Sequence, residues 1–380
     1  MWLQLSGFSF CYKFCYFCFY IDTTNSDEDL PLTHLALQLT STVLSRFPGA
    51  AKIIKEKIFA NISNLLASKV LQGLALDVCS LPFLLLFILT KLTSICFILK
   101  SLLLLLKEIV KTRTKGFGFT HLSKVIGGIL NNDQSKQCIP AAAQCIGVLA
   151  ANTSEKKRNG TIVSYIDQVK APSVPLHLRV VALYCLGEIG RRINLENHSG
   201  IENTITDCFD EPVDELKTAA AFALGNLAVG NLSKYLPFIF ADIPLHPDRQ
   251  YLLMLSLREV ISRQSKSSKG ISELFAHLTN QELELLLQQC QVSKEGVRNV
   301  VAECLGRLAL VKAEEMLNRL EEKLSSSSPY DRSTAVAAIK FAVVDHKKQQ
   351  ELDVLIKPKV PAFMNLLSDS DLVRFFSSNF

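Results

Sequence analysis

Apolar side chains return every third or fourth residue over long stretches of this chain, the rhythm of helices that bury one face. Six helices share one pattern. The stretch 178–189 (LRVVALYCLGEI) is the template, and 216–227 (LKTAAAFALGNL) and 297–308 (VRNVVAECLGRL) align beneath it. One slot holds Gly147, Gly187, Gly225, Arg258, Gly306 and Lys340, in successive steps of 40, 38, 33, 48 and 34 residues. One position earlier stand Ile146, Leu186, Leu224, Leu257, Leu305 and Ile339; five earlier, Ala142, Ala182, Ala220, Leu253, Val301 and Ala335. Two positions later stand Leu149, Ile189, Leu227, Val260, Leu308 and Ala342, which completes an i, i+4, i+7 stripe. Two before the glycine slot the residue is always small: Cys145, Cys185, Ala223, Ser256, Cys304, Ala338. Glycine inside a helix costs ~1 kcal/mol against alanine. Its return in four of the six helices therefore predicts tight packing of adjacent layers.

A shorter amphipathic helix is expected before each of these, for example over 162–169, 201–209 and 283–290. Turn formers separate the two members of a pair at 210–212, 172–175 and 325–329. Each pair leaves an apolar face that only the next pair covers, so stacking is obligatory. The period brackets that of HEAT and armadillo repeats. The fold class expected is all-α, an α-solenoid of HEAT/armadillo-like helix pairs. The organisation expected is an aromatic, cysteine-rich leader over 1–26, HEAT-like helices over 27–77, an apolar insertion over 78–100, and a repeat array over 101–380. Residues 371–376 begin another helix and the chain then stops, so the array reads as truncated at its C-terminal end.

The apolar insertion continues into 101–106 and approaches the ~20-residue length of a membrane span. Lys91 and Lys100 fall inside it, each costing ~2.5–3.5 kcal/mol near a bilayer centre. Those lysines argue against a membrane partner for 78–106. Three origins stand open: a translated intron, a genuine buried or extruded helix, and an anchor. The N-terminal segment has no early positive charge and no clean cleavage site, so it does not read as a signal peptide.

Three stretches run beyond a generic repeat consensus: 225–238 (GNLAVGNLSKYLPF), 249–261 (RQYLLMLSLREVI) and 295–306 (EGVRNVVAECLG). From about Asp27 onward, insertion excepted, they make the chain resemble the cullin-associated, neddylation-dissociated family. The match is to the second half of those long HEAT solenoids. The resemblance implies a non-enzymatic scaffold that wraps cullin–RING assemblies lacking the ubiquitin-like modifier and exchanges their substrate-receptor modules. It also implies a cullin–RING scaffold as partner, a role in SCF ubiquitin-ligase assembly, and a cytoplasmic or nuclear location. The family's further repeats and adaptor-competing β-hairpin, and its N-terminal half, have no counterpart here, so the chain reads as a middle piece. The competing expectation is a HEAT adaptor or transport protein with a different protein partner.

Composition changes this picture little. Forty-one basic against 36 acidic residues leave +5, with no block of like charge, too weak a field to argue for nucleic acid. The 11 cysteines form no paired framework, which favours a reducing compartment. Five N-x-S/T triplets, such as 231–233, matter only in a secreted chain.

Candidate chemistry is sparse. Cys11, Cys15 and Cys18 have C-x3-C-x2-C spacing, similar to the iron–sulfur motif of radical SAM enzymes, but helices rather than β/α units follow. No His/Cys set has metal-ligand spacing, and Gly116 and Gly118 lack the third glycine and lysine of a phosphate loop. Cys145, Cys185 and Cys304 share one slot, which core packing explains. Short basic runs at 111–115 and 156–158 read as solvated loops. Arg179, Lys217, Arg298, Arg332 and Arg374 recur in one slot, which predicts a structural task such as pairing with acids between layers. No catalytic, cofactor or metal residue is expected, no small-molecule substrate, and no partner-contact residue is singled out.

Overall fold

The computed structural model describes residues 139–344 and 354–361, together with Thr40, Thr42 and Arg46. The leader and the insertion lie outside the described residues, as do 101–138, 345–353 and 362–380 of the expected array and all of 27–77 except Thr40, Thr42 and Arg46. The same holds for Cys11, Cys15, Cys18, the basic run at 111–115 and Arg374. Two compact units divide the chain between Arg192 and Ile193.

The first unit contains α1 (Ile139–Ala151), α2 (Glu155–Lys170) and α3 (Leu176–Gly190). The second contains α4 (Ile201–Asp207), α5 (Asp214–Gly230), α6 (Leu232–Leu245), α7 (Gln250–Gln264) and α8 (Ser268–His277). It continues with α9 (Asn280–Gln288), α10 (Glu295–Ala309), α11 (Ala313–Leu324) and α12 (Pro329–Val344). Among the described residues there is no strand. The fold class is the expected one, an all-α solenoid of HEAT/armadillo-like pairs.

The six patterned helices are α1, α3, α5, α7, α10 and α12. In the first unit α1 packs on α3; in the second, α5 packs on α7, α7 on α10, and α10 on α12. Each apolar slot is filled as its periodicity requires. Ala142, Ala182, Ala220, Leu253, Val301 and Ala335 are all 0% exposed. The small slot is as closed, from Cys145 through Ala338.

The glycine slot has the physical cause its recurrence predicts. A Cβ built on Gly147 would fall 2.6 Å from Glu188 O. On Gly225 it would fall 2.6 Å from Ser256 O and 2.8 Å from the Glu259 Cβ. On Gly306 it would fall 2.5 Å from Ala338 O and 2.7 Å from the Phe341 Cβ. Ser256 and Ala338 both occupy the small slot of their helices, so in the second unit a glycine of one layer meets the small residue of the next.

The structure corrects two expectations about the pairs. The long step between Arg258 and Gly306 holds two helices, α8 and α9, where one was expected. Two separate caps split that segment: Ser267 Oγ accepts from Gly270 N at 3.1 Å, and Thr279 and Glu282 close a reciprocal capping box. The additional helix α8 packs on α6 and α7. The first helix of a pair is also not always the shorter, since α2 has 16 residues and α3 has 15.

The recurring basic slot does a different structural task from the one expected. Arg179 Nε donates to Val169 O at 3.0 Å, at the end of α2. Arg298 donates to Val292 O and Ser293 O, both at 2.7 Å, and Arg332 to Ser326 O at 2.9 Å and Ser327 O at 3.0 Å. Each arginine stands early in the second helix and braces the carbonyls that the preceding helix or loop leaves open. Lys217 is the exception, lying 3.8 Å from Asp214. Arg298 also reaches between layers, but onto an aromatic ring: its guanidinium lies 4.4 Å from the centre of Tyr330.

Candidate protein-docking face

In the second unit the patterned helices α7, α10 and α12 turn one stripe away from their buried sides. On α7 it runs through Tyr251, Arg258 and Ser262; on α10 through Gly296, Asn299, Glu303 and Arg307; on α12 through Ala337, Lys340, Phe341 and Val344. These are positions one or two turns apart, so each set shares a helix face. Tyr251 is 43% exposed, Phe341 37% and Val344 72%.

The layers mesh along this band. The Tyr251 ring lies 3.6 Å from where a Gly296 side chain would begin, and the Phe341 Cβ stands over Gly306. In the same way Glu259 stands over Gly225. Glycine thus does two things here. It admits the neighbouring backbone, and it lets a side chain of the next layer lie across it and reach the surface.

Polar side chains tie the middle of the band. Glu303 lies 3.6 Å from Arg258 of the preceding layer and 3.1 Å from Arg307 one turn on. At the edge, Asn226 Nδ2 donates to Glu259 Oε1 at 3.1 Å, and Arg263 Nε donates to the same oxygen at 2.6 Å. The side chain of Arg258 remains 38% exposed. Tyrosine, phenylalanine and arginine are the residue types enriched where proteins bind one another, because they bring large area or bidentate hydrogen bonds at modest entropic cost.

A second set of polar bonds spaces the layers at the loop edge. Arg249 Nε donates to Asp210 Oδ1 at 3.0 Å across 39 residues, and Gln250 bonds Gln289 across 39. Gln291 donates to Asp331 Oδ2 at 2.8 Å across 40 residues. Asp331 is 1% exposed, and it also accepts from Ser326 Oγ at 2.9 Å and pairs with Lys323 at 3.4 Å. The repeat period is thereby written in the side-chain bonds.

The remaining candidates fall elsewhere. Cys145, Cys185 and Cys304 are buried in the core, and burial pushes the thiols of Cys185 and Cys304 up to about 12. A thiol held protonated in this way is a poor nucleophile. Tyr165 hydrogen-bonds Cys185, and burial raises its phenol as well. His177, His198, His246 and His277 are dispersed, and among the described residues no group of His, Cys, Asp and Glu could hold a metal. Lys156 and Lys157 are exposed, but they lie in the first turns of α2 rather than in a loop, because Ser154 and Glu155 start the helix just before them. Among the described residues no helix is long and apolar enough to cross a membrane; the segment 78–106 lies outside them.

Tyr251, Arg258 and Phe341 were not singled out by sequence. Arg258 and Lys340 carried a legible signal: they stand where the pattern otherwise places glycine. Tyr251 and Phe341 carried none apart from being aromatic residues outside the apolar stripe.

No protein-family model matches the chain. A cullin-associated NEDD8-dissociated protein 1 of Dictyostelium discoideum is 33% identical over 357 residues, covering 92% of this chain and 27% of its own length. The protein of that name from Arabidopsis thaliana is 35% identical over 353 residues, covering 91% of this chain and 27% of its own length. The mouse cullin-associated NEDD8-dissociated protein 2 is 32% identical over 251 residues, 64% of this chain and 19% of its own length. The chain thus spans about a quarter of the length of the first two relatives. Among solved structures, Kap95p with RanGDP aligns over 96% of this chain and 50% of its own at a TM-score of 0.42 and 13% identity.

Proposed function

Because the chain belongs, over the matched stretch, to the cullin-associated NEDD8-dissociated family, we propose that it is a non-enzymatic docking scaffold for a cullin. The exposed band of α7, α10 and α12 carries the reading: aromatic and arginine side chains are presented from a meshed stack of layers. Surface complementarity spread over many modest contacts would do the work. The finer role is regulation of cullin–RING (SCF) ubiquitin-ligase assembly, in the cytoplasm or nucleus. The relatives' names support the cullin as partner.

The test is binding of the purified chain, with and without residues 78–100, to an unmodified cullin–RING complex and to the same complex carrying the ubiquitin-like modifier. Binding that favours the unmodified complex, retained by the deleted form, is the expected result. A chain that ignores the modifier, or prefers an unrelated protein, would instead be a HEAT adaptor with another partner.

A further inference from the structure

Between α11 and α12 four serines stand in a row, Ser325 to Ser328, and Pro329 follows them. Of the 13 prolines in the chain, only this one follows a serine or threonine. Ser325 and Ser327 are exposed, and Ser326, Ser328 and Pro329 are partly exposed. Pro329 opens α12, a place that suits its fixed φ and missing N–H. A serine just ahead of such a helix ordinarily caps it, its hydroxyl accepting from an N–H of the first turn. Ser328 does not do so: among the described residues its Oγ makes no hydrogen bond. Other groups hold the turn. Ser326 Oγ donates to Asp331 Oδ2 at 2.9 Å and accepts from Ser328 N at 3.1 Å, while Arg332 donates to the carbonyls of Ser326 and Ser327. The turn therefore leaves the Ser328 hydroxyl to spare, directly before a proline.

We infer that Ser328 is a phosphorylation site for a protein kinase that selects proline after its serine. In the transfer Ser328 Oγ attacks the γ-phosphorus of ATP. The new Oγ–P bond forms as the bond to the leaving ADP oxygen breaks, and the hydroxyl proton passes to the kinase's base. Proline supplies the selectivity. A kinase site that encloses the next residue in apolar surface leaves that residue's backbone N–H unpaired, a cost proline avoids by having none.

Entry requires the first turn of α12 to open, and little backbone bonding resists it. The bond from Arg332 N to Ser328 O, at 3.2 Å, is the first that ties the turn to the helix. The product also fits the place. A phosphate at a helix N-terminus meets the positive end of the dipole and the open first-turn N–H groups. The nearby carboxylate of Asp331 is already paired with Lys323 at 3.4 Å.

The test incubates the full chain, Ser328→Ala and Pro329→Ala with a purified cyclin-dependent kinase and ATP. Intact mass and peptide fragmentation count and place the phosphate. Synthetic peptides of residues 322–335, with and without Pro329→Ala, report what the kinase does to the same sequence outside the fold. A single phosphate on Ser328 of the chain is expected, absent from Ser328→Ala. Pro329→Ala should slow its transfer about tenfold or more. That slowing should appear in peptide and chain alike, so it cannot come from an altered fold.

A peptide that is labelled while the chain is not would overturn the inference, since the fold would then close the site. Phosphate that persists in Ser328→Ala, on Ser325 or Ser327, would overturn it too. So would an unchanged rate in Pro329→Ala, or no labelling of chain or peptide. None of these results bears on the cullin reading, which stands or falls by its own binding test.

Discussion

Alanine in place of Gly306 and of Gly160 is the same chemical change with opposite expected outcomes. Both glycines lie inside helices, so intrinsic propensity alone gives each substitution a gain of ~1 kcal/mol. At Gly160, on α2, a new Cβ meets nothing within 4 Å, and that gain should be realised. At Gly306 the Cβ would lie 2.5 Å from Ala338 O, 2.7 Å from the Phe341 Cβ and 3.1 Å from Ala342 N. All three atoms belong to the backbone or first side-chain carbon of α12, so no flexible tip can swing aside. Layer α12 must retreat from α10, loosening Ala338, Ile339 and Ala342, which are now 0–2% exposed. Overpacking of this kind costs ~1–3 kcal/mol. Gly306→Ala should therefore lose up to about 2 kcal/mol and Gly160→Ala gain up to about 1. Urea titration followed by far-UV circular dichroism reads this as midpoint shifts of opposite sign at unchanged slope. A Gly306→Ala protein as stable as Gly160→Ala would refute the claim that close approach of layers selects glycine there.

Three further outcomes follow from named contacts. Burial pushes the thiols of Cys290 and Cys304 from 9.0 to about 12, so the unfolded chain loses these protons first as pH rises. Their contribution is intact below pH 9 and erodes between 9 and 12, by ~1.4 kcal/mol per pH unit for each thiol. Cys304→Ala, which installs the residue that Ala223 and Ala338 already provide, should flatten that alkaline slope; an unchanged slope would assign the erosion to other groups. Arg298→Ala removes two donations to loop carbonyls and the stack on Tyr330, and should cost about 2–3 kcal/mol in the same urea assay. Thr279→Ala opens the capping box of α9 and should cost ~1 kcal/mol; a loss below a few tenths would mean the cap contributes little beyond what water supplies.

Much of the layer architecture was legible because packing acts on residue size at fixed helical offsets. The slots of Ala142 and Cys145 read correctly since any larger side chain there would part the layers. The additional helix α8 was hidden for the opposite reason: its boundaries rest on single caps, Ser267 and Thr279, which do not repeat elsewhere. The arginine slot was recognised as structural, but its partners were not, because main-chain carbonyls carry no sequence signature. The band of Tyr251, Arg258 and Phe341 was the least legible. Surface residues answer to a partner whose sequence is not in the chain, and only the broken glycine slot at Arg258 and Lys340 marked the place.

The side-chain bonds between layers of the second unit join residues 33 to 47 positions apart, from Asn226 with Glu259 to Lys294 with the Pro247 carbonyl. Each added layer therefore closes a loop of nearly the same length, and loop-closure entropy varies only with the logarithm of that length. The kinetic barrier to adding a layer should be much the same wherever along this unit growth has reached. Low contact order of this sort favours fast folding that spreads from any formed pair. Synthesis on a ribosome suits it well: among the described residues of this unit, a pair that has just emerged needs only its immediate predecessor.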